Sequence, residues 1–139
     1  MSLDINAHLF GSNDEKIWSK EIENWVVAPG GGLMYDAIYP FVYKNEFYLI
    51  QNTHPETPSL SAKGEKIKAA TYGKDRFGTE LIKFNKDGKP DRDFIYLREE
   101  KIVTIPIHSR HYDDGKLLMY GDKAGIGNSI QFGILDVSK

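Results

Sequence analysis

A chain of 139 residues, 40% hydrophobic and 27% charged, is long enough to bury a core of its own and reads as one domain over residues 1–139. Its net charge of −2 argues against a general affinity for nucleic acid. The absence of cysteine excludes disulfides, thiol nucleophiles and thiolate metal sites, and fits a cytoplasmic protein. Met1 to Phe10 lacks a basic stretch leading into an apolar one, and no run of about 18 apolar residues occurs, so neither secretion nor membrane insertion is expected.

In chain order, Leu3 to Phe10 reads as a first strand. Ser12 and Glu15 then have capping-box spacing, and Trp18, Ile22, Trp25 and Val26 recur as on one face of a helix, which predicts an amphipathic helix over 13–25. Pro29-Gly30-Gly31-Gly32 breaks the pattern as a turn and lacks the Gly-Lys-Ser/Thr ending of a phosphate loop. From Leu33 onward the chain reads as β. Phe47 to Ile50 and Leu117 to Tyr120 are continuously apolar, as in strands covered on both faces, whereas Leu81 to Phe84, Phe94 to Leu97, Ile102 to Ile107 and Ile130 to Leu135 alternate, as strands with one wet face do. Lys44-Asn45, Asp87-Gly88 and Asp114-Gly115 supply tight connections. Residues 53–77 form a long polar segment between strands, the kind that is functional or mobile. Residues 60–92 carry nine basic and five acidic side chains, a mild basic island between acidic flanks.

The segments 33–52 and 101–121 echo each other. Ile38-Tyr39-Pro40 through Phe47-Tyr48-Leu49-Ile50 is answered by Ile105-Pro106-Ile107 through Leu117-Leu118-Met119-Tyr120, and each is followed by a Gly-led strand, Gly78 to Asn85 and Gly127 to Asp136. One supersecondary unit is expected twice. The expected fold is mainly β (α+β): antiparallel meandering sheets with one N-terminal amphipathic helix, as a small sandwich or open barrel with two blade-like repeats. The strand Asp114-Gly115-Lys116-Leu117-Leu118-Met119-Tyr120 resembles a blade strand of the TolB-like β-propellers. Asp36-Ala37-Ile38-Tyr39-Pro40 followed by Phe47-Tyr48-Leu49-Ile50 resembles the five-bladed propeller glycosidases, where an Asp before an x-Pro strand is the general base. That resemblance implies carbohydrate chemistry at Asp36. Propellers use about 4–8 blades, and this chain has material for two.

Glycoside hydrolysis needs two carboxyl groups flanking the scissile bond, and the resemblance points to Asp36 as base with Glu80 as acid, assisted by Asp113 or Asp114. His108 and His111 could contribute imidazole to a transition metal, but a spacing of three on a strand sends them to opposite faces, so no cofactor or metal is expected. No Gly-x-Ser-x-Gly elbow occurs.

With no competent catalytic set, the leading expectation is a non-catalytic cytoplasmic protein that binds another protein, of the inhibitor or immunity type. Asp14, Glu15, Glu21 and Glu23, on the wet side of the predicted helix, are the first candidate contacts for a basic partner. Lys74 and Arg76 come next, and Tyr35, Tyr39 and Tyr112 suit a protein or sugar interface. The alternative is a carbohydrate-acting propeller-like module, or a glycosidase fragment, using Asp36. Pooling of blades would make the chain a homo-oligomer.

Overall fold

A computed structural model describes residues 4–27, 37–71, 77–96, 102–123 and 130–139. The strands are β1 (Ile5–Phe10), β2 (Lys16–Ile22), β3 (Val26–Val27), β4 (Ile38–Tyr43), β5 (Glu46–Thr53), β6 (Ala70–Thr71), β7 (Gly78–Phe84), β8 (Pro90–Tyr96), β9 (Ile102–Thr104), β10 (Arg110–His111), β11 (Lys116–Lys123) and β12 (Ile130–Asp136). A short helix, α1 (Thr57–Ala62), lies within the polar segment after β5. The chain is therefore mainly β, in open and predominantly antiparallel sheets, as the sequence predicts.

Three sheets carry the architecture. β1 and β2 form a hairpin, β4-β5-β7-β8 form a four-stranded antiparallel meander, and β11 is flanked by β12 on one side and by β9 and β10 on the other. Among the described residues the one parallel pairing is the short β3–β6 contact. The echoed segments hold equivalent positions: β5 sits between β4 and β7 as β11 sits between β10 and β12.

Alternation along β5 stacks these sheets. Leu49 points to one face and joins Ile82 and Phe84 of β7 against Ala7 and Ile22 of the hairpin. Tyr48 and Ile50 point to the other face and join Phe41 against Leu117 and Met119 of β11. The β4–β8 sheet is thus the middle layer, covered on both sides, as the unbroken apolar run at Phe47 to Ile50 requires. Ring contacts reinforce both seams: Trp18 stacks on Phe84 with centroids 5.6 Å apart, and Phe41, itself stacked on Tyr48 within the middle sheet, meets His111 of β10 at 5.2 Å.

The helix expected over 13–25 is not formed; residues 16–22 are strand β2. A spacing of four is even, so Trp18 and Ile22 share a face in a strand as they do in a helix, and the apparent helical stripe is the inner face of a hairpin. Ile17, the neighbour of Trp18 along the strand, is 54% exposed on the outer face. The capping-box residues belong to the hairpin turn instead. The Gly11 N–H donates to Glu15 O at 2.8 Å, the Asp14 N–H donates to Gly11 O at 3.1 Å, and Asp14 takes φ 60°.

The predicted tight turns form at Lys44-Asn45, Asp87-Gly88 and Asp114-Gly115, with φ of 48° and 63° at Lys44 and Asn45, 72° at Gly88 and 82° at Gly115. Gly88 has a second constraint, because a Cβ there would sit 2.6 Å from Trp18 Cδ2. Gly88→Ala is expected to cost about 1–3 kcal/mol, from left-handed strain and displacement of the Trp18 ring. Chemical denaturation followed by tryptophan fluorescence reads that loss.

Two polar systems lock the middle layer. Asn52 Nδ2 donates to Thr104 O at 2.7 Å, the Thr79 hydroxyl donates to Asn52 Oδ1 at 2.8 Å, and it lies 2.9 Å from Thr104 Oγ1, so β9 is tied to β5 and β7 by a buried chain of hydrogen bonds. On the exposed side, Lys83 Nζ is 2.8 Å from Glu46 Oε2, which also accepts the Tyr48 hydroxyl at 2.8 Å. Both bonds, Lys83 first, hold the Glu46 carboxyl below its ordinary value of 4.5. A carboxyl depressed on folding contributes stability that is complete above the unfolded value and is lost as pH falls through the folded one. Urea melts taken from neutral pH into the acid range should lose stability below about 4.5, and Glu46→Gln should flatten that slope.

Candidate functional site

The most unusual surface is the outward side of the β9–β12 sheet. The turn that launches β11 closes through Gly115 N–H to Tyr112 O at 3.1 Å and Tyr112 N–H to Lys116 O at 2.9 Å, with the Lys116 N–H capping Asp114 Oδ1 at 3.1 Å. The Tyr43 ring lies against Gly115, 2.6 Å from where a Cβ would stand, which fixes this turn on the middle sheet. From there alternation sends Leu117 and Met119 inward and Leu118 and Tyr120 outward.

The register then decides β12. Phe132 pairs with Tyr120 and Ile134 with Leu118, so Ile130, Phe132 and Ile134 share the outward face, while Gln131, Gly133 and Leu135 alternate to the inward one. The sequence pattern Ile-Gln-Phe-Gly-Ile would ordinarily bury Ile130, Phe132 and Ile134. Instead they are 55%, 69% and 69% exposed. Tyr120 and Phe132 meet edge to face at 5.3 Å, and His108 meets Tyr120 edge to face at 5.6 Å. Beside them an open hollow of about 430 Å³ is lined by Tyr112, Asp113, Asp114, Lys116, Leu118 and Ile134. Lys116 Nζ lies 2.5 Å from Asp114 Oδ2 and holds that carboxyl below its ordinary value. The result is an apolar surface with a rim of both signs.

The sheet edges differ in the same sense. β8 opens with Pro90-Asp91-Arg92-Asp93, and β4 carries Pro40, devices that discourage pairing with another strand. β12 pairs only with β11 among the described residues, and its Ile130–Ile134 stretch has neither a proline nor a charge.

The other candidate residues are scattered. Asp14 and Glu15 lie at the tip of the β1–β2 hairpin, Glu21 is in β2 and Glu23 just beyond it. All four are exposed, but they follow a hairpin rather than one side of a helix, and Lys16 and Lys20 share that hairpin. The middle sheet separates them from the apolar face. Tyr112 is 53% exposed at the hollow, whereas Tyr39 is half-buried and its hydroxyl accepts the His111 N–H at 3.1 Å. His111 packs on Phe41 on the inward side and His108 on Tyr120 on the outward side, so the pair does not converge. No group of three metal-ligating acidic or imidazole side chains occurs among the described residues.

Glu80 is fully buried. Arg92 Nε donates to its Oε1 at 2.5 Å, and Arg92 Nη2 and Gln51 Nε2 donate to its Oε2 at 2.9 and 3.0 Å. This carboxylate ties β5, β7 and β8 together. Asp36, Tyr35, Lys74 and Arg76 lie outside the described residues.

The sequence missed the Ile130, Phe132 and Ile134 surface because alternation states that one side of a strand is apolar without stating what covers it. Against protein-family models, curated proteins and solved structures, the chain matches none.

Proposed function

We propose that the chain is a non-catalytic cytoplasmic binding protein of the inhibitor or immunity type, acting through a protein–protein interface on the outward face of β11 and β12. One observation carries this reading: the side of β12 that its own sequence marks for burial faces solvent, next to Tyr112 and a rim of mixed charge. Contiguous apolar surface of this kind is characteristic of interaction sites. Tyr112 and Phe132 are the aromatic types that anchor interfaces. The acidic hairpin residues supply a separate surface that steers a basic partner during encounter.

The test is recovery of a stoichiometric protein from the source cell by the tagged chain. Phe132→Ser/Ile134→Ser should abolish that recovery, and recovery undiminished by the double variant would contradict the reading.

The meander β4-β5-β7-β8, stacked between two further sheets, favours a second reading as a carbohydrate-acting propeller-like module. Asp36 is the carboxylate this reading needs. Its second carboxylate is better sought away from Glu80, whose oxygens are already bonded to Arg92 and Gln51. Glycoside turnover lost in Asp36→Asn would support it, and absence of turnover in the wild type would remove it.

A further inference from the structure

We infer that the occupant of the outward β11–β12 face is a second copy of this chain, packed sheet against sheet about a two-fold axis. The inference rests on the reading of that face as a protein interface: in the free protein a second copy covers it, and a target protein binding there displaces that copy.

The ends of the three-layer stack are unlike. At the hairpin end, the outer face presents Asn6, His8, Ser19 and Glu21 along its length, with Phe10 and Ile17 only at the tip. Stacked architectures close in this way, with a polar outer layer as cap. At the other end the outer face presents Leu118, Tyr120, Ile130, Phe132 and Ile134 beside Tyr112, with Lys116 and Asp136 at one end of that stripe and Asp122 at the other. Among the described residues the stack is capped at one end and open at the other. Two copies joined at their open ends give one longer stack with a polar hairpin at each extremity and no apolar layer left in water.

Three further features fit this occupant. An isologous interface requires one patch to complement itself. The rim does so, because Arg110 and Lys116 share it with Asp113, Asp114, Asp122 and Asp136, and a two-fold rotation can set the cations of one copy against the carboxylates of the other. Tyr112, Ile130, Phe132 and Ile134, the four most exposed apolar side chains of this face, offer roughly 500 Å² per copy, so two copies that cover them fully bury about 1,000 Å² before flanking residues are added, the lower bound for a specific interface. Outward Leu118, Phe132 and Ile134 stand on a regular pleat, the relief that lets two sheets interdigitate roughly 10 Å apart.

The experiment is light scattering coupled to gel filtration over a wide concentration series, on the wild type and on Phe132→Ser/Ile134→Ser. The wild type should move from the 15.8 kDa chain mass to twice that mass as concentration rises. The double variant should stay monomeric with unchanged circular dichroism, its self-affinity weakened by about thirtyfold or more. A wild type monomeric throughout overturns the inference, as does a dimer that survives in the double variant or an open ladder of larger species. Fluorescence of a hydrophobic dye separates the two levels of the reading. A monomer that binds dye, with the signal lost in the double variant, loses the second copy but keeps the interface. A monomer that binds none loses both.

Discussion

Arg92→Ala should cost about 3–5 kcal/mol, because it leaves the Glu80 carboxylate buried without its countercharge. Glu80 has no solvent exposure and the Arg92 side chain has 13%, so water replaces little of the lost guanidinium. The remaining donor is the Gln51 amide at 3.0 Å, a neutral group on one oxygen. For a domain whose total stability is about 5–15 kcal/mol, that loss leaves a large unfolded fraction. Breaking a buried pair is costly mainly through the charge left behind, so Glu80→Leu/Arg92→Leu should recover most of the stability. Urea denaturation of both variants checks this. A loss under about 1 kcal/mol for Arg92→Ala would mean that the pair is solvated.

Leu117→Ala should be comparably damaging, at about 3–5 kcal/mol. Leu117 is fully buried where β11 meets Phe41, Tyr48 and Ile50, and a cavity there weakens the seam between the middle and C-terminal layers. The informative contrast is Ile134→Ala, one residue from the inward Leu135 on the facing strand. Being 69% exposed, it should change the monomer's stability by no more than about 0.5 kcal/mol. The reverse ranking would mean that the sheet presents its other face to the core.

The middle layer was the most legible part of the molecule. Phe47 to Ile50 reads as a strand buried on both sides, and it lies between two apolar seams. Asp87-Gly88 and Asp114-Gly115 read as hairpin turns, and both glycines have the positive φ such turns need. The segments 47–50 and 117–120 both run as central strands, but β5 is covered on both faces whereas Leu118 and Tyr120 of β11 face outward, against the expectation that their unbroken apolar run raises. The hairpin was misread because Trp18 and Ile22 satisfy both the helical and the extended period, and only pairing with Ile5 to Phe10 resolves the tie. That pairing is non-local and leaves no trace in a window of a dozen residues.

Candidate chemistry was less legible, for a related reason. Glu80 and Arg92 are twelve residues apart, and nothing in either neighbourhood says that they meet across β7 and β8 to form a buried ion pair. Sequence pattern also gives the apolar side of β12 while remaining silent on which layer, if any, lies over it. Burial inside one chain and burial between chains use the same alternation, so coordinates are needed to tell Leu135 from Ile134.

Hydrogen exchange of the wild-type chain, measured at low and at high protein concentration, tests the interface most directly. Amides of β11 and β12 should gain protection as concentration rises, while those of the β1–β2 hairpin stay unchanged, because that polar face remains the cap of the stack. Protection that appears first on the hairpin, or exchange in β12 that is independent of concentration, would contradict assembly through the Ile130, Phe132 and Ile134 face.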